Sequence, residues 1–103
     1  MTTPTFDSDG YPSDETLAFI SDWRRDETEE QWFAFINKAW RHHYGRMWAE
    51  DGFIKFATGG WSGNESIITA MRENYVRWVT LWESSHRGGL FVFRAPKTEE
   101  EKS

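Results

Sequence analysis

The order of hydrophobic patterns predicts a small single α+β domain, α-α-β-β-α-β, with helices packed on one face of a three-stranded antiparallel or mixed sheet. Three observations support this. Two stretches with apolar residues at helical spacing come first, an Asp-Gly pair then separates two short apolar runs, and a third helical stretch precedes Leu90-Phe91-Val92-Phe93.

Pro12-Ser13-Asp14-Glu15 has the composition of a helix start, with acids placed to meet the positive end of the helix dipole. Leu17, Phe19, Ile20 and Trp23 give this first helix one apolar side, and Arg24-Arg25 suit its C-terminus. Thr28 and Gln31 have the spacing of a capping box, in which a cap hydroxyl and a side-chain amide exchange bonds with the backbone. Trp32, Phe33, Ile36, Ala39, Trp40 and His43 follow at helical spacing, and Tyr44-Gly45 is a glycine stop. The runs 46–50 and 53–57 flank Asp51-Gly52, the dipeptide favoured by a type I′ hairpin turn. Ser62 and Glu65 have the spacing of a second capping box. Behind them Ile67, Ile68, Met71, Tyr75, Trp78, Val79 and Trp82 predict a helix of about twenty residues, roughly 30 Å long. It is expected to end in 84–89, before a last strand at 90–93. Residues 1–11 are expected to be a flexible acidic lead, 12–95 the domain, and 96–103 a charged flexible tail.

Composition narrows the function. The 103 residues contain no cysteine, which removes disulfides, cysteine nucleophiles and thiolate metal sites from consideration. No apolar run reaches the roughly eighteen residues of a membrane span. The polar N-terminus predicts no secretory signal, and the expected location is cytoplasmic. Aromatic residues make up 17% of the chain, enough both to fill a small core and to furnish stacking surfaces. The net charge of −5 conceals an asymmetry: residues 1–30 hold nine acids and two bases, residues 31–98 five acids and nine bases. The bases are dispersed, so no polybasic face for nucleic acid is expected. A mildly basic body can still attract a small anion.

The segment 58–66 is the leading candidate site. It joins a strand to a helix start, where free backbone N–H groups and the dipole favour an anion. Gly60 and Gly63 permit close backbone approach, Trp61 offers a stacking face, and Ser62, Asn64 and Ser66 offer polar edges. The spacing matches neither a Walker A loop nor a dinucleotide fingerprint, and a capped helix over a buried Trp would account for the same residues. The segment 84–89 is the second candidate, with Arg87 as a phosphate or carboxylate fork and Arg46 as a further counter-charge. A single long helix would hold these segments too far apart to meet within one chain, so a symmetric dimer is expected to join them. His42-His43 lacks the spacing of a helical metal pair, and no metal site or cofactor is expected. No nucleophile elbow surrounds any serine, and no catalytic residue is assigned.

Gly10-Tyr11-Pro12, Glu15-Thr16-Leu17, Trp32-Phe33, Trp40, the phrase Thr58-Gly59-Gly60-Trp61-Ser62-Gly63-Asn64-Glu65, then Met71, Asn74, Trp82, Ser84-Ser85 and Arg87-Gly88-Gly89 form a wider pattern. Over about residues 10–94 the chain resembles a family of short phage-encoded proteins with no common function attached. The resemblance implies a context of infection, in which small accessory proteins often counter host defence. The leading expectation is a homo-oligomeric protein that sequesters a nucleotide-derived immune signal without cleaving it, in the cytoplasm of an infected bacterium. The alternatives are a protein–protein inhibitor of a host defence enzyme acting through the acidic surface, a small nucleotide hydrolase or lyase, and a virion accessory role.

Overall fold

The computed structural model describes residues 3–23 and 28–96. Its element order is α1 (Asp14–Ser21), α2 (Glu29–Ala39), β1 (Arg46–Glu50), β2 (Phe53–Ala57), α3 (Ser62–Glu73), α4 (Tyr75–Leu81), β3 (Trp82–His86) and β4 (Leu90–Arg94). The α+β class holds, but the sheet has four antiparallel strands in the order β1-β2-β4-β3, not three.

Local signals place the first half of the chain. Ser13 caps α1 by accepting from Thr16 N–H, with Asp14 and Glu15 in the first turn. Thr28 and Gln31 complete both bonds of the capping box on α2. The α1 end expected at Arg24-Arg25 falls at Ser21, and Arg24-Arg25 themselves, like residues 97–103 of the expected tail, lie outside the described residues. Helix α2 stops at Ala39, earlier than Tyr44-Gly45, and leaves His43 exposed.

The expected long helix is two helices. Asn74 interrupts it at φ −81°, ψ 73°. Its buried side-chain amide donates to Ile20 O at 3.2 Å and to Trp23 O at 3.5 Å, tying the break to the end of α1. Helix α4 ends at Leu81, and Trp82 turns extended at ψ 132° to begin β3. Trp78 and Trp82 nonetheless stack at 6.2 Å, which is why their i, i+4 spacing resembles a continuing helix. Ser84 and Ser85 are weak helix formers, and the β4 edge supplies the pairing that turns this stretch into a strand.

All four helices contribute to one core with the same face of the sheet. Trp32, Phe33, Ile36, Ile67, Met71 and Trp78 meet Phe56 and Phe93, with Met47, Ile54 and Phe91 packed alongside. Trp32 is fully buried, and its indole N–H donates to Ile20 O at 3.1 Å. The opposite face carries Arg46, Trp48, Lys55, Val92, Ser84 and His86, in register across the strands and outside that core. Residues 3–11 of the expected acidic lead form a closed loop with residues 12 and 13. Phe6 bridges to Pro12, and Thr5 N–H donates to Thr16 Oγ1 at 2.8 Å. Among the described residues no helix is long and apolar enough to cross a membrane.

Candidate functional site

Three chain segments converge at the end of the sheet where β2 runs into α3. Thr58, fully buried, is the hub. Its N–H donates to Gly89 O at 3.0 Å, its carbonyl accepts from Asn64 Nδ2 at 3.3 Å, and its hydroxyl accepts from Gly60 N–H at 3.2 Å. The segments 58–66 and 84–89 therefore meet within one chain. The expected separation fails because the long helix is broken and β3 folds back beside β4. No dimer is needed to join them.

Packing at this corner leaves no room for side chains at four glycines. A Cβ at Gly45 would overlap Ala57 O, one at Gly59 the Tyr44 carbonyl, one at Gly63 the Trp61 ring, and one at Gly89 the Thr58 hydroxyl. Gly60 differs, because a Cβ there would meet nothing within 4 Å.

The predicted site residues divide accordingly. Asn64 is fully buried; its Oδ1 accepts from Arg41 N–H at 3.0 Å and its Nδ2 donates to Arg41 O and Thr58 O, each at 3.3 Å. Its amide joins the end of α2 to the end of β2 and offers no exposed edge. Gly63 is buried against the Trp61 indole. Trp61 itself is half-buried, stacked on Tyr44 at 4.8 Å and tilted against Tyr11 at 4.9 Å. Ser66 Oγ donates to Ser62 O at 2.9 Å, a bond within the helix. Gly60 and Ser62 are exposed, and Ser62 Oγ donates to Tyr11 Oη at 3.0 Å.

The expected Ser62–Glu65 capping box is not made. Trp61 is the N-cap, which moves Ser62 into the first turn, and no side chain caps the helix. The early N–H groups of α3 are thus left without a side-chain acceptor beside an open Gly60.

The two arginines occupy different places. Arg46 opens β1, paired with Ala57, and its guanidinium lies 4.7 Å from the Trp48 ring centre on the helix-free face. Arg87 is exposed in the turn between β3 and β4, two residues from the Gly89–Thr58 contact. Two aromatic residues absent from the predicted set, Tyr44 and Tyr11, complete the corner. Tyr44 is 53% exposed and also meets His43 edge-on at 5.0 Å. The signal for Tyr44 was its neighbour Gly45, which reads as a helix stop but serves as a close backbone crossing.

On the helix-free face, Ser84 Oγ lies 2.9 Å from His86 Nε2. This nucleophile–base contact sits on an exposed edge strand, where solvent screens the electrostatics that would activate it. Among the described residues no group of three His, Asp or Glu side chains is placed to hold a metal ion. No protein-family model, curated protein or solved structure matches the chain.

Proposed function

We propose that the protein binds a nucleotide-class anion without converting it, at the corner where α3 begins. The observation that carries this reading is the α3 N-terminus, which lacks a side-chain cap and lies beside the exposed Tyr44 ring and the open Gly60. Helix N–H groups and dipole favour phosphate, and an exposed aromatic ring favours a base or sugar. In this reading Trp61 holds the Tyr44 ring in place, Ser62 offers a hydroxyl, and Arg87 supplies the counter-charge. The fixed glycine packing and the buried Asn64 amide preorganise the corner, which lowers the cost of binding. The resemblance to short phage-encoded proteins makes immune signalling nucleotides the first ligands to test, with sequestration in the host cytoplasm as the biological effect.

The test is a thermal-shift panel of cyclic di- and trinucleotides, cyclic ADP-ribose isomers, ADP-ribose, NAD and ATP. Ligand at a hundred times its dissociation constant stabilises by about 2.7 kcal/mol. In a domain of this size that is roughly 10 °C or more. Tyr44→Ala and Arg87→Ala should each abolish the shift while the protein stays folded. Recovery of intact ligand after denaturation separates a binder from a hydrolase or lyase. No shift with any nucleotide overturns the reading.

One observation favours a protein partner instead. Tyr75, Val76, Val79 and Trp82 are between 38% and 71% exposed, and their spacing puts them on one side of α4 and its C-cap. Four acids of the acidic N-terminal third have local work: Asp14 and Glu15 lie in the first turn of α1, and Glu29 and Glu30 in that of α2. Val76→Glu with Val79→Glu would remove inhibition by this route and leave nucleotide binding intact.

A further inference from the structure

The edge strand β1 has the sequence Arg-Met-Trp-Ala-Glu, with opposite charges placed symmetrically about Trp48. It is the first strand of the sheet, so among the described residues β2 alone pairs with it. Its direction of hydrogen bonding can be derived. Asp51 and Gly52 have φ of 55° and 84°, the type I′ geometry of a two-residue hairpin. The residues flanking such a turn, Glu50 and Phe53, form a hydrogen-bonded pair, and bonded pairs then alternate along the ladder. Arg46, Trp48 and Glu50 therefore direct their backbone groups to β2, while Met47 and Ala49 direct theirs to the open edge. The far side of β2 agrees, since Thr58 N–H points to β4 and bonds Gly89 O.

We infer that β1 pairs antiparallel with β1 of a second copy of this chain, with the two-fold axis at Trp48. Met47 of one copy then lies opposite Ala49 of the other, and both exchange their free N–H and C=O groups. Trp48 meets Trp48, and Arg46 lies opposite Glu50 at both ends. These are the non-hydrogen-bonded positions, where side chains approach most closely. A two-residue slip in either direction leaves a charge without its opposite, and a four-residue slip sets like charges together. Arg46, Trp48 and Glu50 share the helix-free face, so the pairing extends that face across both copies. The other edge strand, β3, is interrupted by an irregularity between Trp82 and Ser84, a feature that blunts edge pairing. Strand β1 pairs with β2 without interruption over all five residues. The proposal stands apart from the ligand reading, because Arg87, Tyr44 and the α3 start lie outside β1.

Sedimentation equilibrium of the full chain tests it. The wild type should approach twice 12.2 kDa as its concentration rises. Arg46→Glu sets acids against acids, and Glu50→Arg sets bases against bases; each should weaken self-association about tenfold or more. An equimolar mixture of the two variants should recover the dimer, because the acids of one copy then face the bases of the other. Circular dichroism checks that each variant is folded, and the mixture provides an internal control. A wild type that stays monomeric into the millimolar range overturns the proposal. So does a dimer indifferent to both charge reversals, or a mixture that fails to reassociate.

Discussion

The two ends of the sheet are built in different ways. At one end Asp51-Gly52 joins β1 to β2, and a Cβ at Gly52 would meet nothing within 4 Å. At the other, Gly45, Gly59 and Gly89 bring three segments into contact around Thr58. The first end is a two-residue turn held by one long-range backbone bond, from Ala95 N–H to Gly52 O at 2.9 Å. The second is a tertiary joint between the end of α2, the end of β2 and the β3–β4 turn. The candidate site sits on the joint, where many contacts over-determine the backbone and can hold a ligand-facing surface still.

Alanine at one glycine from each end should expose the contrast most strongly. Gly59 has φ +68° and its backbone crosses Tyr44, so Gly59→Ala adds a left-handed backbone penalty of about 1–2 kcal/mol and a steric cost of about 1–3 kcal/mol. A loss of about 3 kcal/mol corresponds to a fall in Tm of roughly 12 °C or more. Gly52→Ala carries only the backbone penalty, because its surroundings are open. Thermal unfolding followed by circular dichroism compares them directly. Equal losses would mean that the joint is no more constrained than the turn.

Asn64→Leu is the next largest effect. It keeps the branched shape of the side chain but removes the acceptor of Arg41 N–H, whereas Arg41 O keeps its Tyr44 and Gly45 N–H donors and Thr58 O keeps Trp61 N–H. Leaving this one backbone N–H unsatisfied costs about 1–3 kcal/mol where water cannot enter, so a loss of about 1–3 kcal/mol in urea unfolding is expected. A change below about 0.5 kcal/mol would show that water replaces the amide and that the joint is looser than its hydrogen bonds imply.

What was legible in the sequence follows the same division. The Ser13 cap, the Thr28–Gln31 capping box and the Asp51-Gly52 turn are short-range devices, and the structure contains all three. The break at Asn74 was not legible, because it depends on carbonyls of Ile20 and Trp23 more than fifty residues away. Strand β3 was hidden by the helical spacing of Trp78 and Trp82, and its pairing partner lies beyond a turn. The segment 58–66 was recognisable as a glycine-rich strand-to-helix junction. That its Gly59, Gly63 and Asn64 serve packing against Tyr44, Trp61 and Arg41 could not be seen without the fold. Ser62 tests this directly. A cap serine replaced by alanine costs about 1 kcal/mol, whereas an exposed serine in the first turn costs less than about 0.5 kcal/mol. Ser62→Ala should fall in the second class, and a full cap penalty would restore the capping box.

The smallest effect belongs to the turn end, where Lys55 Nζ lies 2.8 Å from Glu50 Oε1 across the β1–β2 ladder. Hydrogen bonding and charge from Lys55 hold the Glu50 carboxyl below the usual glutamate range, and the Trp48 indole adds to the shift. The sign follows from linkage. A carboxyl whose pKa is depressed on folding stabilises the fold above its unfolded value, and that contribution fades as pH falls through the folded value. Both partners are open to water, so salt screens the pair and the effect on stability is slight. A carboxyl NMR titration at low salt resolves it even so. Glu50 should titrate below the ordinary glutamate value in the wild type and move back toward it in Lys55→Met. High salt should narrow the gap between the two proteins. A Glu50 midpoint unchanged by Lys55→Met would assign the depression to Trp48 and Arg46 on its own strand, and the turn end would then depend on β1 alone for its electrostatics.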